Sequence, residues 1–449
     1  MLNSNLNPAL KSSSFDVEKI QKWFSRLTSG IDLWLILAAG FLVYTSLTVL
    51  RFSEQTYGYY EKQLEFLIAG IVLMLTFSRI PYRFWTKKWV IPIVYLSNLG
   101  LLLAVMIKGH AAQGAQRWLS LGPITLQPSE VSKIVVIITL ACWLRYFPIR
   151  SFFDIFKLLA ITIPPAFLVF KQPDLGTSLT FACVFMGMAY WSGATLADIV
   201  LLTSPGFSLI LNAVNTEWWH WFLGGIGVFL LCFWRVKDWN FFIRLALILA
   251  VVGANYGVGT IRPELWGHLK EYQQKRLTSF VNPYADPRGS GYHILQSLIA
   301  IGSGGVAGTG LGKGNQSQGA FIPERHTDFI FAVVGEELGF KISVFVILSY
   351  MLICIRALII AFHCRGEPEG SAMAIGLMCM FIFHSFINLG MTMGIMPVTG
   401  VPLPFLSYGG TALLVDLVAV GLLQSIYLHI PKPKRDTWSN QSIQVKAST

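Results

Sequence analysis

Apolar stretches long enough to cross a lipid bilayer recur along this chain from one end to the other. A helical span needs roughly 20 such residues. Runs of that kind fall near 31–50, 64–80, 89–107, 131–147, 157–171, 176–192, 196–213, 218–235, 240–258, 339–362, 371–396 and 411–430. The chain is 54% hydrophobic and only 13% charged, whereas a soluble domain carries about a quarter charged residues. The expected fold is all-α: a polytopic transmembrane helix bundle of about twelve spans. One transmembrane domain, 31–430, is expected between a polar segment, 1–30, and a polar tail, 431–449. Within it, residues 259–338 form a large loop rich in glycine and aromatics. That is too long for a mere connector, and an ordered loop dipping towards the membrane is expected.

The net charge of +11 could signal nucleic acid. A membrane chain, however, gains such an excess by marking its cytoplasmic loops, and no nucleic-acid partner is expected. The first apolar run follows a polar segment with no small-residue cleavage site, so it reads as an uncleaved anchor. Cys142, Cys183, Cys232, Cys354 and Cys379 lie inside apolar runs, and Cys364 sits in a short loop. Without CxxC or framework spacing they read as free or buried thiols, with no disulfide and no metal.

Basic residues set the orientation. The loop after the second run carries Arg79, Arg83, Lys87 and Lys88; that after the fourth, Arg145, Arg150 and Lys157; that after the eighth, Arg235, Lys237 and Arg244. Both tails agree, through Lys11, Lys19, Lys22 and Arg26 at one end and Lys432, Lys434 and Arg435 at the other. The positive-inside rule then places both termini in the cytoplasm. Pro205 and Gly206 make 196–213 the weakest span, yet dropping it alone would expose the Arg235 loop outside, which favours twelve.

The stretches 108–130, 171–175, 259–338 and 397–410 then face outwards, and they break the charge rule. They hold Arg117, Arg262, Lys270, Lys275, Arg276, Arg288, Lys313 and Arg325, with Lys133 just inside the outer end of the fourth span. A solvated basic face is one reading, because long loops are partly exempt from the rule. The other is that cations gather where an anionic headgroup is held; a lipid pyrophosphate suits Arg forks and Lys ammonium groups. Glu130 and Lys133 share one helix face at i, i+3. Ionisable groups at membrane depth are functional candidates by default, with a structural ion pair as the alternative.

Four blocks on this outer side carry a resemblance. They are Gly114-Ala-Gln-Arg-Trp-Leu-Ser-Leu-Gly-Pro with Gln127-Pro-Ser-Glu; Gln172-Pro-Asp-Leu-Gly-Thr-Ser; Asn282-Pro-Tyr-Ala-Asp-Pro through Pro323-Glu-Arg-His-Thr-Asp-Phe-Ile-Phe-Ala; and Pro397-Val-Thr-Gly-Val-Pro-Leu-Pro-Phe-Leu-Ser-Tyr-Gly-Gly. Together they resemble the SEDS (shape, elongation, division, sporulation) glycosyltransferases over nearly the whole chain. Gln316-Ser-Gln, Glu324-Arg-His-Thr-Asp and Pro-Val-Thr-Gly resemble its RodA-like elongation branch more than the division branch, which has Ala where Arg325 stands. The family core has ten spans, so residues 193–260 would hold an extra pair.

The resemblance implies polymerisation of lipid II into a β-1,4-linked glycan with release of undecaprenyl pyrophosphate, at the outer face of the bacterial inner membrane. It implies a class B penicillin-binding protein as transpeptidase partner, within the elongation machinery. An acceptor hydroxyl must lose a proton as it attacks the anomeric carbon, which calls for a general base. The leaving pyrophosphate needs cations, from side chains or a divalent ion such as magnesium or manganese. Asp286 matches the family's catalytic aspartate, although Asp before Pro is also a common turn element. Substrate binding is expected from Arg117, Trp118, Glu130, Lys133, Asp174, Arg288, Arg325, His326, Asp328, Ser407 and Tyr408. Asp174 equally suits a helix cap, and Trp118 an interfacial belt. His326-x-Asp328 lacks a third metal ligand at recognisable spacing.

The glycines from Gly302 to Gly314 do not make a nucleotide-phosphate loop. Ala307 stands where its first glycine belongs, and no Ser or Thr follows Lys313; close backbone approach is expected instead. Two other functions suit many spans with intramembrane charges. A flippase of lipid-linked precursor would spread polar groups through the midplane, and a non-catalytic scaffold would leave Asp286 dispensable.

Overall fold

The computed structural model describes residues 31–52, 58–112, 115–121, 124–214, 216–233, 241–260, 280, 283–287, 289, 291–319 and 321–430. Among these, long helices lie over all of the apolar runs: α1 Leu33–Phe52, α2 Tyr59–Arg79, α3 Val90–Lys108, α4 Pro128–Tyr146, α5 Phe152–Lys171, α6 Leu175–Trp191, α7 Leu196–Val214, α8 Thr216–Phe233, α9 Phe241–Thr260, α10 Gly339–His363, α11 Pro368–Thr392 and α12 Gly410–Leu428. On length and hydropathy, α1, α3, α5, α10, α11 and α12 are sufficient to cross a membrane. The protein is a multi-pass, all-α membrane bundle.

Local chemistry explains the ends. Pro128 and Pro368 occupy the first turns of α4 and α11, where a missing N–H breaks no helical bond. Both helices therefore begin before their apolar runs. Pro205 lies inside α7, which continues through it. The Leu201 carbonyl that proline leaves unbonded accepts the Ser204 hydroxyl at 3.0 Å, the kind of compensation that membrane helices use.

Burial separates centre from rim. In α11 and α12, 72% of the span is buried inside the protein, against 22% in α3 and 28% in α5. Helix α11 packs on α4, α6 and α10, and α12 packs on α2. Helices α7, α8 and α9 pack chiefly on one another, around Ala197, Ile226, Leu230 and Ile248. Residues 193–260, where an extra pair was expected, include all three helices of this side group.

The two ends of the bundle differ. At one, Asp32 binds Arg356 at 2.6 Å, Arg145 binds Glu369 at 2.6 Å and Arg83 binds Glu367 at 2.8 Å. The other end carries the four sequence blocks. There, β1 His110–Ala112, β2 Ala115–Leu121 and β3 Ile124–Leu126 form an antiparallel sheet in the order β1-β2-β3. No strands were expected from the sequence. The segment is too polar to continue a span, and backbone pairing satisfies its polar groups instead.

In the long loop, helix Ile330–Glu337 is buried throughout. A Cβ added to Gly304 or Gly308 would collide with the carbonyl oxygens of Gly335 and Glu337, so these glycines serve close backbone approach. The Glu336 carboxylate fixes the same loop by accepting from the Gln316 and Ser317 N–H groups, each at 2.8 Å.

Candidate active site

The sequence blocks are joined by hydrogen bonds at the sheet-bearing end. Arg117, on β2, donates through Nε to the Gln172 carbonyl at 3.2 Å and through Nη2 to that of Pro173. Trp118, next along the strand, is half-buried and pairs with His110. Asp174 accepts from the Thr177 N–H at 3.2 Å and the Thr177 hydroxyl at 3.0 Å, so it caps α6. Gln127 links two blocks: its side-chain amide donates to Asp174 at 3.4 Å, and its backbone N–H to Thr411 at 3.2 Å.

The block ending at Gly410 closes the layer. Ser407 donates to the Thr327 carbonyl at 2.6 Å and accepts from the Leu403 N–H at 2.8 Å. The Tyr408 N–H donates to the His326 carbonyl at 2.8 Å. The rings of His326 and Tyr408 both meet Tyr59, each with centroids 4.6 Å apart. Burial pushes the His326 pKa below its ordinary value and lowers that of Arg325, while it raises that of the Tyr408 phenol. Asn388 donates to the carbonyls of Asp328 at 3.0 Å and Val401 at 2.8 Å, holding both loops to α11. Phe405 adopts φ 63°, a left-handed conformation costly for a bulky side chain. Its N–H is held by the Asp416 carboxylate at 3.2 Å, and its ring stacks on Phe381.

Below this layer lies a charged cluster. Lys133 Nζ is 2.7 Å from Glu130 Oε2, and both side chains are at most 3% exposed. Lys133 Nζ also lies 3.3 Å from His384 Nε2 on α11, and Thr180 Oγ1 on α6 lies 3.2 Å from that nitrogen. Buried Asp416 is within electrostatic range of Lys133 and Glu130.

Asp286 stands apart from that cluster. It is exposed, follows a short 3-10 turn at Pro283–Ala285, and precedes helix Tyr292–Ser303. Its backbone carbonyl accepts from Gly291 at 3.0 Å, and its carboxylate lies over Gly289. This turn is tied to the layer through His293, which stacks on Phe329 beside Asp328, and through Ser297, which donates to the Thr392 carbonyl at 2.7 Å. Arg262, Lys270, Lys275, Arg276 and Arg288 lie outside the described residues.

The sequence reading missed His384, Asp416, Asn388 and Tyr59. The first two carried a usable signal: an ionisable residue within an apolar run, the rule that singled out Lys133. Asn388 and Tyr59 gave none, because their roles depend on which loops meet them.

A layer of polar loops thus lies over a buried charged cluster at one end of the helix bundle. The model of the FtsW/RodA/SpoVE cell cycle proteins matches residues 28–223 and 220–431, and the chain belongs to that family. Over 397 residues it is 37% identical to the peptidoglycan glycosyltransferase MrdB of Escherichia coli (strain K12), covering 88% of this chain and 92% of that protein. Over 391 residues it is 34% identical to the peptidoglycan glycosyltransferase RodA of Treponema pallidum (strain Nichols), covering 82% and 89%. It also resembles a chain from a solved peptidoglycan synthase complex, with TM-score 0.65 and 26% identity over 88% of this chain and 97% of that one.

Proposed function

We propose that this protein is a peptidoglycan glycosyltransferase of cell elongation and shape maintenance. It polymerises lipid II, the undecaprenyl-linked disaccharide peptide, into β-1,4-linked glycan and releases undecaprenyl pyrophosphate. The observation that supports this reading is that the blocks bearing Arg117, Lys133 and Asp286 lie at the same end of the bundle. Asp286 is exposed on its turn while Arg117 and Lys133 are held by defined partners.

The chemistry divides between these groups. Asp286 takes the proton of the acceptor hydroxyl as its oxygen bonds to the anomeric carbon. The bond from that carbon to the pyrophosphate oxygen breaks in the same displacement, with inversion, so no second covalent carboxylate is needed. Arg117, Arg288, Arg325 and Lys133 are the cations for the departing charge. Trp118, His326 and Tyr408 offer ring faces to the sugars, while Asp174, Asp328 and Ser407 order the loops around them.

A divalent cation, magnesium or manganese, would add charge stabilisation if it arrives with the pyrophosphate. The described carboxylates do not form a ready ligand set for one. Glu130 is bound to Lys133 and Asp174 to the start of α6, and no step is assigned to an ion.

The end with the Arg83, Arg145 and Arg356 pairs faces the cytoplasm together with both termini, and the reacting end faces outwards from the bacterial inner membrane. The partner is a class B penicillin-binding protein, which cross-links the strands.

Purified protein with that partner and fluorescent lipid II should give polymer, and folded Asp286→Ala protein should give none. Polymer from Asp286→Ala would sink the base assignment. Translocation of lipid II without polymer from the unaltered protein would instead establish a flippase.

A further inference from the structure

Three helices meet at His384. It lies on α11, is fully buried, and presents one nitrogen, Nε2, to two neighbours: Lys133 Nζ of α4 at 3.3 Å and Thr180 Oγ1 of α6 at 3.2 Å. Lys133 is 2.7 Å from Glu130, which fixes it as an ammonium. An ammonium has hydrogen-bond donors only, so the nitrogen facing it must supply a lone pair. The ring is then neutral, with its proton on Nδ1. The Thr180 hydroxyl has an acceptor of its own in the Gly176 carbonyl at 3.1 Å, so its proton is accounted for without that lone pair.

Lys133 is therefore held from two sides, by a carboxylate on its own helix and by an imidazole on another. Glu130 alone, three residues away on α4, would leave the ammonium free to follow that helix. His384 anchors it to α11, where Asn388 one turn further pins the loops at Asp328 and Val401. One helix thus sets the cation and the two loops in a common frame.

We propose that His384 is a positioning residue for the glycosyl transfer: as a neutral acceptor it fixes the Lys133 ammonium relative to the outer loops. It acts through Lys133 and does not itself touch substrate. This inference rests on the reading of Lys133 as part of the polymerase site.

The test uses the full-length protein in detergent with its partner. His384→Leu removes the acceptor at similar volume, whereas His384→Gln keeps one in its side-chain carbonyl. With fluorescent lipid II, His384→Leu should lower the maximal rate at least about tenfold with the apparent KM little changed. His384→Gln should recover to within about threefold of the unaltered protein. A merely structural histidine would give equal losses in both variants, or losses that track thermal unfolding, and either result overturns the proposal.

A second measurement does not depend on activity. In 15N-histidine spectra, with the His384 signals identified by their loss in His384→Gln, Nε2 should appear unprotonated and Nδ1 protonated at neutral pH. A protonated Nε2 overturns the assignment even if polymerisation is absent. Absence of polymer from the unaltered protein, with the expected tautomer present, would count against the function and not against the His384–Lys133 contact.

Discussion

Two of the polar clusters buried among the membrane helices differ in kind. In the side group α7–α9, Trp219 donates to Ser208 at 2.7 Å, Ser208 to the Asn255 carbonyl at 2.7 Å, and Asn255 to Ser204 at 3.1 Å. Every member is neutral; the acid Asp198 caps the helix start by accepting from the Thr195 N–H at 2.8 Å. In the centre, Glu130, Lys133, His384 and Asp416 are ionisable and buried. Neutral pairs are enough to fix helix packing, at about 0.6 kcal/mol each in membranes. A buried charge pair gains little over an apolar pair of the same shape. The Trp219–Ser208–Asn255–Ser204 network is therefore a neutral packing unit, while the central charges call for a use beyond packing.

Changes in the two clusters should differ accordingly. Asp286→Asn, on the exposed turn of the long loop, should lower polymerisation by about 10²–10⁴-fold with unchanged thermal unfolding. Lys133→Met leaves Glu130 buried without its ammonium. It should destabilise the protein by about 3–5 kcal/mol, read by denaturation in detergent, and abolish polymer. Adding Glu130→Gln should restore most of the stability and none of the activity. In the side group, Asn255→Leu should cost about 1–2 kcal/mol and leave polymerisation within about twofold. A larger loss of activity there would erase the distinction between the clusters.

The smallest effect concerns pH. Burial holds the His326 pKa below its ordinary value, so the unfolded chain takes up that proton first as pH falls. The stability due to the neutral ring is complete above the ordinary histidine value of about 6.5 and declines as pH drops through it. His326→Phe should flatten that part of a stability-against-pH curve, and an unchanged slope would remove the assignment.

The twelve helices were legible because hydrophobic runs and proline positions act locally; even Pro205, the weakest point, left the helix in place through Ser204. The blocks containing Arg117, Asp174, Asp286 and Ser407 were legible as polar segments between apolar runs. Their grouping was not, because it depends on long-range bonds such as Gln127 to Thr411 and Ser407 to Thr327. The strands at 110–126 were missed because three-residue pairings carry little periodic signal. His384 was passed over although it too is an ionisable residue within an apolar run; what the sequence could not show is its contact with Lys133 across two helices.

The most direct test places the chemistry at one end of the bundle. Proteoliposomes with a single protein orientation, assigned by protease access to the tail bearing Lys432, Lys434 and Arg435, would receive fluorescent lipid II on one leaflet at a time. Polymer should form only from lipid II on the face opposite the tail, and Asp286→Asn should form none. Polymer made from the tail-side leaflet would contradict the account.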